Sequence, residues 1–138
     1  MKEYERNHRG HRGKDKFTLC SPNEYPLQEV TKEIISCCIE VHSSLGPGLL
    51  EGIYEEALAY EFKLRKIKHE RQKYIQLRYK GKEVGLHRID FLIEDEVVLE
   101  IKAVEAINKI FEAQVLTYLK AMDKKVGLLI NFNVLRLK

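Results

Sequence analysis

Two short apolar segments, residues 90–93 and 97–103, are separated by three acidic residues and predict a β-hairpin in the second half of the chain. Residues 94–96 fit a three-residue hairpin loop, which pairs the segments in a register that places Asp90 directly opposite Glu100. A loop of two or four residues would shift this register by one and turn Asp90 to the other face of the sheet. An odd loop length is therefore the condition for the two carboxylates to meet.

Charged residues inside these apolar strands are the unusual feature, because an unpaired ion in an apolar setting costs several kcal/mol. Glu100 and Lys102 are two positions apart, so they lie on one face of the strand. Carboxylates directly opposed in a sheet repel each other unless a proton or a cation lies between them. The pattern Asp-x9-Glu-x-Lys therefore predicts a site for a divalent cation and a water beside a phosphate. The alternative is a solvated sheet face with a Glu100–Lys102 ion pair worth less than about 1 kcal/mol.

Hard oxygen ligands such as the carboxylates of Asp90 and Glu100 suit Mg²⁺ or Mn²⁺. The carbonyl of Ile101 is a candidate third ligand. Arg88 shares the strand parity of Asp90, so it is expected either to pair with that acid or to contact a phosphate.

Size and composition predict one domain with a single core, since the chain has 138 residues. No apolar run approaches the roughly 20 residues of a membrane span, and the first residues lack the apolar segment of a secretory signal. Three cysteines without metal-ligand spacing are expected to be reduced thiols of a cytoplasmic protein. The net charge of +3 comes entirely from residues 1–16, so composition does not indicate a strongly basic nucleic-acid binder. An enzyme that grips phosphates through a local patch and a metal remains compatible with this balance.

The order of elements predicts an α/β fold with antiparallel hairpins and one helical crossover to a final strand. Residues 1–23 are polar and basic without periodicity and are expected to form a flexible tail, in which His8 and His11 are alternative metal or nucleic-acid contacts. Residues 24–138 form the predicted domain. Its elements are helices at about 27–44 and 49–66, strands at about 70–79, 82–93 and 97–103, a helix at 109–122 capped by Asn108, and a strand at 127–132.

The spacing of Gly48, Glu51 and Tyr54 resembles the signature of the GxxExxY protein family. Further blocks resemble the same family in the same order, so that the resemblance covers about residues 28–138. They include residues 40–48, 54–61, 100–105, 112–120 and 126–132. The family is grouped with the PD-(D/E)XK nuclease-like superfamily. Membership implies a restriction-endonuclease-like core of order α-β-β-β-α-β, here with an additional N-terminal helix and a four-stranded mixed sheet.

The resemblance also implies roles for particular residues. Asp90 and Glu100 fall at the positions of the metal-binding acids of the superfamily, and Lys102 falls at that of its catalytic lysine. Glu51 matches an acidic position that some branches use as an extra ligand, although an acid in the first turn of a helix also favours the helix dipole. The residue before Asp90 is Ile89 where the superfamily motif has proline.

Gln114 and Tyr118 resemble the Gln-x-x-x-Tyr element of the RecB-like branch, which lies near the site and the DNA. Tyr118 has an alternative role as a core aromatic residue with its hydroxyl at the edge.

The resemblance and the three charged residues together predict a metal-dependent nuclease acting on DNA. Two alternatives stay open: a non-catalytic nucleic-acid-binding or assembly module that kept the fold, and a metal-dependent hydrolase of another phosphorylated substrate. One small domain of this kind cuts one strand per site, so cleavage of both strands would require a homodimer.

Overall fold

The computed structural model describes residues 27–137 in full and residues 2–7 and 16–19 as two backbone segments. The described helices are α1 (Gln28–Leu45), α2 (Glu51–Leu64) and α3 (Lys109–Met122). The described strands are β1 (Lys2–Asn7), β2 (Lys16–Leu19), β3 (His69–Tyr79), β4 (Lys82–Ile93), β5 (Val97–Lys102) and β6 (Val126–Asn131). None of the described helices is both long enough and apolar enough to cross a membrane.

The strands form one mixed sheet with the order β2-β1-β6-β5-β4-β3. Neighbouring strands are antiparallel except for β5 and β6, which are parallel and are joined through α3. Strands β3 to β6 are the predicted four-stranded mixed sheet, α2 precedes them, and α1 is the additional N-terminal helix. The predicted α/β architecture and element order are confirmed, and the predicted bounds of β4 and α3 agree with the structure to the residue.

The predicted register between β4 and β5 is also confirmed. Ile93 pairs with Val97 across a three-residue loop in which Glu94 and Asp95 have positive φ values of 52° and 59°. The Glu96 N–H donates to the Ile93 carbonyl at 3.0 Å and closes the turn. This register brings Asp90 opposite Glu100.

Apolar side chains on the two faces of the sheet form two cores. The first joins α1 and α2 to one face, where Phe62 meets Phe91 edge-on with ring centroids 5.3 Å apart. The second joins α3 to the other face and includes Val115 and Leu119. The helices therefore cover the sheet from both sides, which explains why β5 and β6 are apolar almost throughout.

The two backbone segments near the N-terminus differ from the expectation of a tail without fixed structure. β1 pairs with β6 and β2 pairs with β1, so these segments extend the sheet to six strands. The physical reason is that β6 would otherwise present a row of unpaired backbone N–H and C=O groups. Residues 8–15 and 20–26 lie outside the described residues, as do the expectations for His8, His11 and Cys20. The domain boundary at residues 23–24 lies there too and stays a prediction.

Gly127 shows how closely α3 packs on β6. A Cβ atom at this position would lie 2.6 Å from Cγ1 of Val115, a buried side chain that has little room to move. We therefore predict that Gly127→Ala lowers the free energy of unfolding by about 1–3 kcal/mol through overpacking. Urea unfolding followed by circular dichroism measures this loss.

Gly85→Ala is the matched control, because Gly85 also lies in a strand and a Cβ atom there meets no atom within 4 Å. Equal stabilities of the Gly127→Ala and Gly85→Ala proteins would contradict the close approach of α3 to β6.

Candidate active site

The backbone pairing of β4 with β5 is replaced by side-chain hydrogen bonds at Asp90. The last backbone pair in that direction is Phe91 with Leu99. At the next position the Asp90 N–H donates to Oε1 of Glu100 at 2.8 Å, and the Ile101 N–H donates to Oδ2 of Asp90 at 2.9 Å. Each carboxylate therefore takes the place of a main-chain carbonyl, and the two acids meet between the strands.

Burial makes this pair of acids electrostatically unusual. Glu100 is only 7% exposed, and burial, together with the charge of Asp90, raises the pKa of Glu100 to about 8. Burial also raises the pKa of Asp90, although the hydrogen bond from the Ile101 N–H and the charge of Lys102 act in the opposite direction. The pair therefore retains a proton near neutral pH when no metal ion is bound.

Lys102 lies beside this pair, as its spacing from Glu100 predicts. Its positive charge lowers the pKa values of Asp90 and Glu100, and its Nζ lies 4.6 Å from the ring centroid of Phe111 on α3. The aromatic face holds the amine by a cation–π contact without neutralising it. Within the described residues Lys102 makes no ion pair, and its charge acts on the two acids through space.

Asn131 fixes the end of β5 that carries Lys102, a role that sequence analysis did not identify. Asn131 is 5% exposed; its Nδ2 donates to the Val104 carbonyl at 2.8 Å, and its Oδ1 accepts from the Val104 N–H at 3.1 Å. The Phe132 N–H donates to the Lys102 carbonyl at 2.8 Å. The backbone on both sides of Lys102 is thus tied to the end of β6.

Glu51 reaches the site because the loop before α2 is anchored. The Tyr54 hydroxyl donates to the Gly46 carbonyl at 2.6 Å and accepts from the Leu49 N–H at 3.2 Å, while its ring stacks on Phe132. Glu51 is the first residue of α2, and burial followed by the charge of Asp90 raises its pKa. The tyrosine of the predicted signature thus anchors the loop that positions the glutamate.

Two polar residues that sequence analysis did not assign to the site, Gln72 and Glu55, also lie in it. Gln72 on β3 has a positive φ of 53°, and its Nε2 donates to Oε1 of Glu55 and to Oδ1 of Asp90, the latter at 3.5 Å. Arg71 pairs with the other oxygen of Glu55 at 3.2 Å. The four-residue spacing of Glu51 and Glu55 was a usable signal, since it places both acids on one helix face.

Tyr118 lies near the carboxylate pair, as the resemblance implies. It is 5% exposed, and burial, then the charges of Glu100 and Asp90, raise its pKa to about 12. Its hydroxyl oxygen is 2.5 Å from Nε2 of His87, and the two rings stack with centroids 4.8 Å apart. His87 is a neighbour that its position in the sequence did not identify.

Two other predicted site residues, Gln114 and Arg88, do not contact the Asp90–Glu100 pair. Gln114 lies one turn before Tyr118 on α3, and its side chain makes no hydrogen bond or ion pair within the described residues. Arg88 is exposed, and its guanidinium lies over the ring of Tyr74, 5.7 Å from the centroid, instead of pairing with Asp90. A phosphate contact by Arg88 stays a prediction.

The available ligands fit a cation that keeps several of its own waters. In the part of the chain that the structure describes, no group of three or more His, Cys, Asp or Glu side chains is arranged to hold a metal ion. Asp90 and Glu100 offer carboxylate oxygens, and the Ile101 carbonyl points to the same side of β5 as its N–H, which donates to Asp90. Two carboxylates and one carbonyl match the hard, partly hydrated coordination of Mg²⁺ or Mn²⁺.

A family model for the PD-(D/E)XK nuclease superfamily matches residues 28–138, which is most of the chain. The assignment of the letters D, D/E and K of that description to Asp90, Glu100 and Lys102, with Ile89 in the place of the proline, stays a prediction. The match does not distinguish the GxxExxY family from other members, so that finer assignment stays a prediction. No curated protein and no solved structure matches the chain.

The raised pKa of Glu100 generates a prediction about stability without metal. The folded protein keeps a proton that the unfolded chain releases above about pH 4.5, so the free energy of unfolding falls as the pH rises from 4.5 to about 8. We predict that Glu100→Gln, which stays neutral, is more stable than wild type by on the order of 3 kcal/mol at pH 8. The difference should shrink towards pH 5.

Urea unfolding in EDTA at a series of pH values measures this difference. Glu40→Gln on the exposed side of α1 is the control and should show no such pH-dependent gain. A stability difference between Glu100→Gln and wild type that does not change with pH would contradict the buried, shared proton.

Proposed function

The chain belongs to the PD-(D/E)XK nuclease superfamily, and from this premise we propose that it is a metal-dependent nuclease that hydrolyses phosphodiester bonds in DNA. Its order of elements from α2 to β6 is that of the restriction-endonuclease-like core. The observation that carries the proposal is the meeting of Asp90 and Glu100 between two separating strands, with the Lys102 amine beside them. A buried pair of acids of this kind is destabilising unless a proton or a cation is shared between them.

Asp90 and Glu100, with the Ile101 carbonyl, would hold Mg²⁺ or Mn²⁺. Such an ion, when bound, lowers the pKa of a water and offsets negative charge on the phosphate. The backbone N–H groups of Asp90 and Ile101 keep one oxygen of each acid fixed. The other oxygen of Asp90 accepts a 3.5 Å hydrogen bond from Gln72, which a bound cation would replace.

Lys102 would orient the attacking water or stabilise the negative charge that develops on the phosphate oxygens. Its cation–π contact with Phe111 and the Asn131 hydrogen bonds keep it in place before substrate arrives, which is the preorganisation that electrostatic catalysis requires. Glu51 would hold a water at the rim of the site, since its pKa is raised by burial and by the charge of Asp90.

We also propose that the protein acts in the cytoplasm and that cleavage of both strands of a duplex requires two copies of the chain. The thiols of Cys37 and Cys38 are free and buried, which suits a reducing compartment. One site of this size acts on one strand at a time, so a single copy would nick a duplex.

We predict that the protein cleaves at least one substrate of a panel containing single-stranded, duplex, forked and branched DNA and RNA, with Mg²⁺ or Mn²⁺ present. Lys102→Met should lower the cleavage rate by about 10²–10³-fold, because the charge over the Phe111 ring is lost while an unbranched side chain is kept. Gel electrophoresis of end-labelled substrates measures the rates.

Lys32→Met, on the exposed side of α1, is the matched control and should cleave like wild type. Unchanged cleavage by Lys102→Met would remove the catalytic role of that residue. Binding without cleavage by wild type across the whole panel would favour the non-catalytic nucleic-acid-binding module instead.

We further predict that Mn²⁺ binds the protein without nucleic acid and that Asp90→Asn weakens this binding by at least about tenfold, because one of two charged ligands is lost. Isothermal titration calorimetry at pH 8 measures the affinity. Glu40→Gln should bind like wild type. Equal Mn²⁺ binding by Asp90→Asn and wild type would place the ion elsewhere.

A further inference from the structure

Beyond the site, β3 and β4 continue as a two-stranded ribbon, which we define as residues 73–88. β5 pairs with β4 only from Phe91 to Ile93, so within the described residues the rest of β4 has β3 as its only partner. All the residues of β4 from Lys82 to Arg88 are exposed. The ribbon therefore projects from the sheet next to Asp90, at a length of roughly 26 Å from Lys82 to Asp90.

One face of this ribbon packs against α3. Ile75 is buried against α3, and His87, its cross-strand partner, stacks on Tyr118. The opposite face, the outer face, carries the cross-strand pairs Tyr74–Arg88 and Gln76–Leu86. Asp90 lies two residues beyond Arg88, and its Oδ1 accepts a hydrogen bond from Gln72, which also donates to Glu55 on α2, the helix on the side of the sheet opposite α3.

The outer face presents apolar and aromatic surface to solvent. Tyr74 is 60% exposed and Leu86 is 63% exposed, and the Arg88 guanidinium lies over the Tyr74 ring. An exposed aromatic ring with an arginine at its face is the arrangement on which an unpaired base stacks, and such stacking accepts any base.

The charge of the ribbon is complementary to a phosphate backbone. Residues 73–88 contain five Lys or Arg and one Glu. Lys73 pairs with Glu70 and Arg78 pairs with Glu83. Three cations of the ribbon have no ion-pair partner within the described residues, namely Lys80, Lys82 and Arg88. Although the chain outside residues 1–16 has no excess charge, this one element is strongly positive.

We propose that the outer face of the ribbon binds a single-stranded stretch of nucleic acid and leads it to the Asp90–Glu100 pair, an inference that rests on the nuclease function proposed above and deepens it. Tyr74 stacks a base, and Arg88 contacts the adjacent phosphate about 7 Å along the strand from Asp90. A base inside a duplex has no free face to stack on Tyr74, so unpaired strands bind more tightly than duplexes.

Binding is tested with the full chain carrying Glu100→Gln in EDTA, so that no cleavage interferes. The probes are a fluorescein-labelled 20-nucleotide oligo(dT) and a 20-base-pair duplex, followed by fluorescence anisotropy. Tyr74→Ala raises the Kd for oligo(dT) on the order of 5- to 100-fold, and Tyr74→Phe keeps the wild-type Kd. Arg88→Gln lowers the slope of log K against log salt by about 0.7.

Tyr60→Ala is the matched control, because Tyr60 on α2 is 61% exposed and lies outside the ribbon. The far-UV circular dichroism spectrum and the melting temperature of Tyr74→Ala should match those of wild type, because the Tyr74 ring is exposed and contributes little to the core. Equal effects of Tyr74→Ala and Tyr60→Ala, tighter binding of the duplex, or a dimer in sedimentation that disappears with Tyr74→Ala would each overturn the inference.

The inference and the nuclease function fail separately. Wild-type protein that binds oligo(dT) through Tyr74 but cleaves nothing with Mg²⁺ or Mn²⁺ would refute the nuclease function and leave the binding face in place. If wild-type protein cleaves oligo(dT) and Tyr74→Ala cleaves it with the same KM, the binding face is refuted and the nuclease function stands.

Discussion

The site depends on the separation of β4 from β5 at Asp90 and Glu100. In a continuous ladder the Asp90 and Ile101 N–H groups would bond to main-chain carbonyls, and the acids would have no reason to be held between strands. Here each N–H bonds to a carboxylate oxygen, at 2.8 and 2.9 Å. A mostly apolar sheet can tolerate two acids at this point because they satisfy backbone groups that would otherwise be orphaned. The carboxylate oxygens of Asp90 and Glu100 thus satisfy the backbone of the sheet and also form the candidate active site.

The hydrophobic pattern and one loop length were sufficient to predict the centre of the fold. The three-residue loop after Ile93 fixes the register, and the register brings Asp90 to Glu100. The position of Lys102 on the face of Glu100 follows from the period of two. These features are local in sequence, which is why single-sequence reasoning reached them.

Features that depend on irregular backbone or on distant pairing were not predictable. The two-residue turn at Lys80-Gly81 alone would place Gln72 opposite Ile89. The register of β3 and β4 shifts between Leu77 and Arg78, and the shifted register places Gln72 opposite Asp90 instead. The pairing of β1 with β6 joins residues far apart in sequence, and the polar composition of β1 carries no periodicity that would reveal it. Asn131 belongs to the same class, because its partner Val104 lies across a helix in the chain.

The position of β6 in the sheet has a consequence for the order in which the chain folds. β6 follows all the other described strands in the chain, yet it lies between β1 and β5 and pairs with both. During synthesis the apolar edge of β5 stays open until β6 has left the ribosome. The long-range pairing of the first strand with the last also makes closure of the sheet a slow, late step. A nascent chain of this fold is therefore exposed to misassembly from the emergence of β5 until β6 is in place.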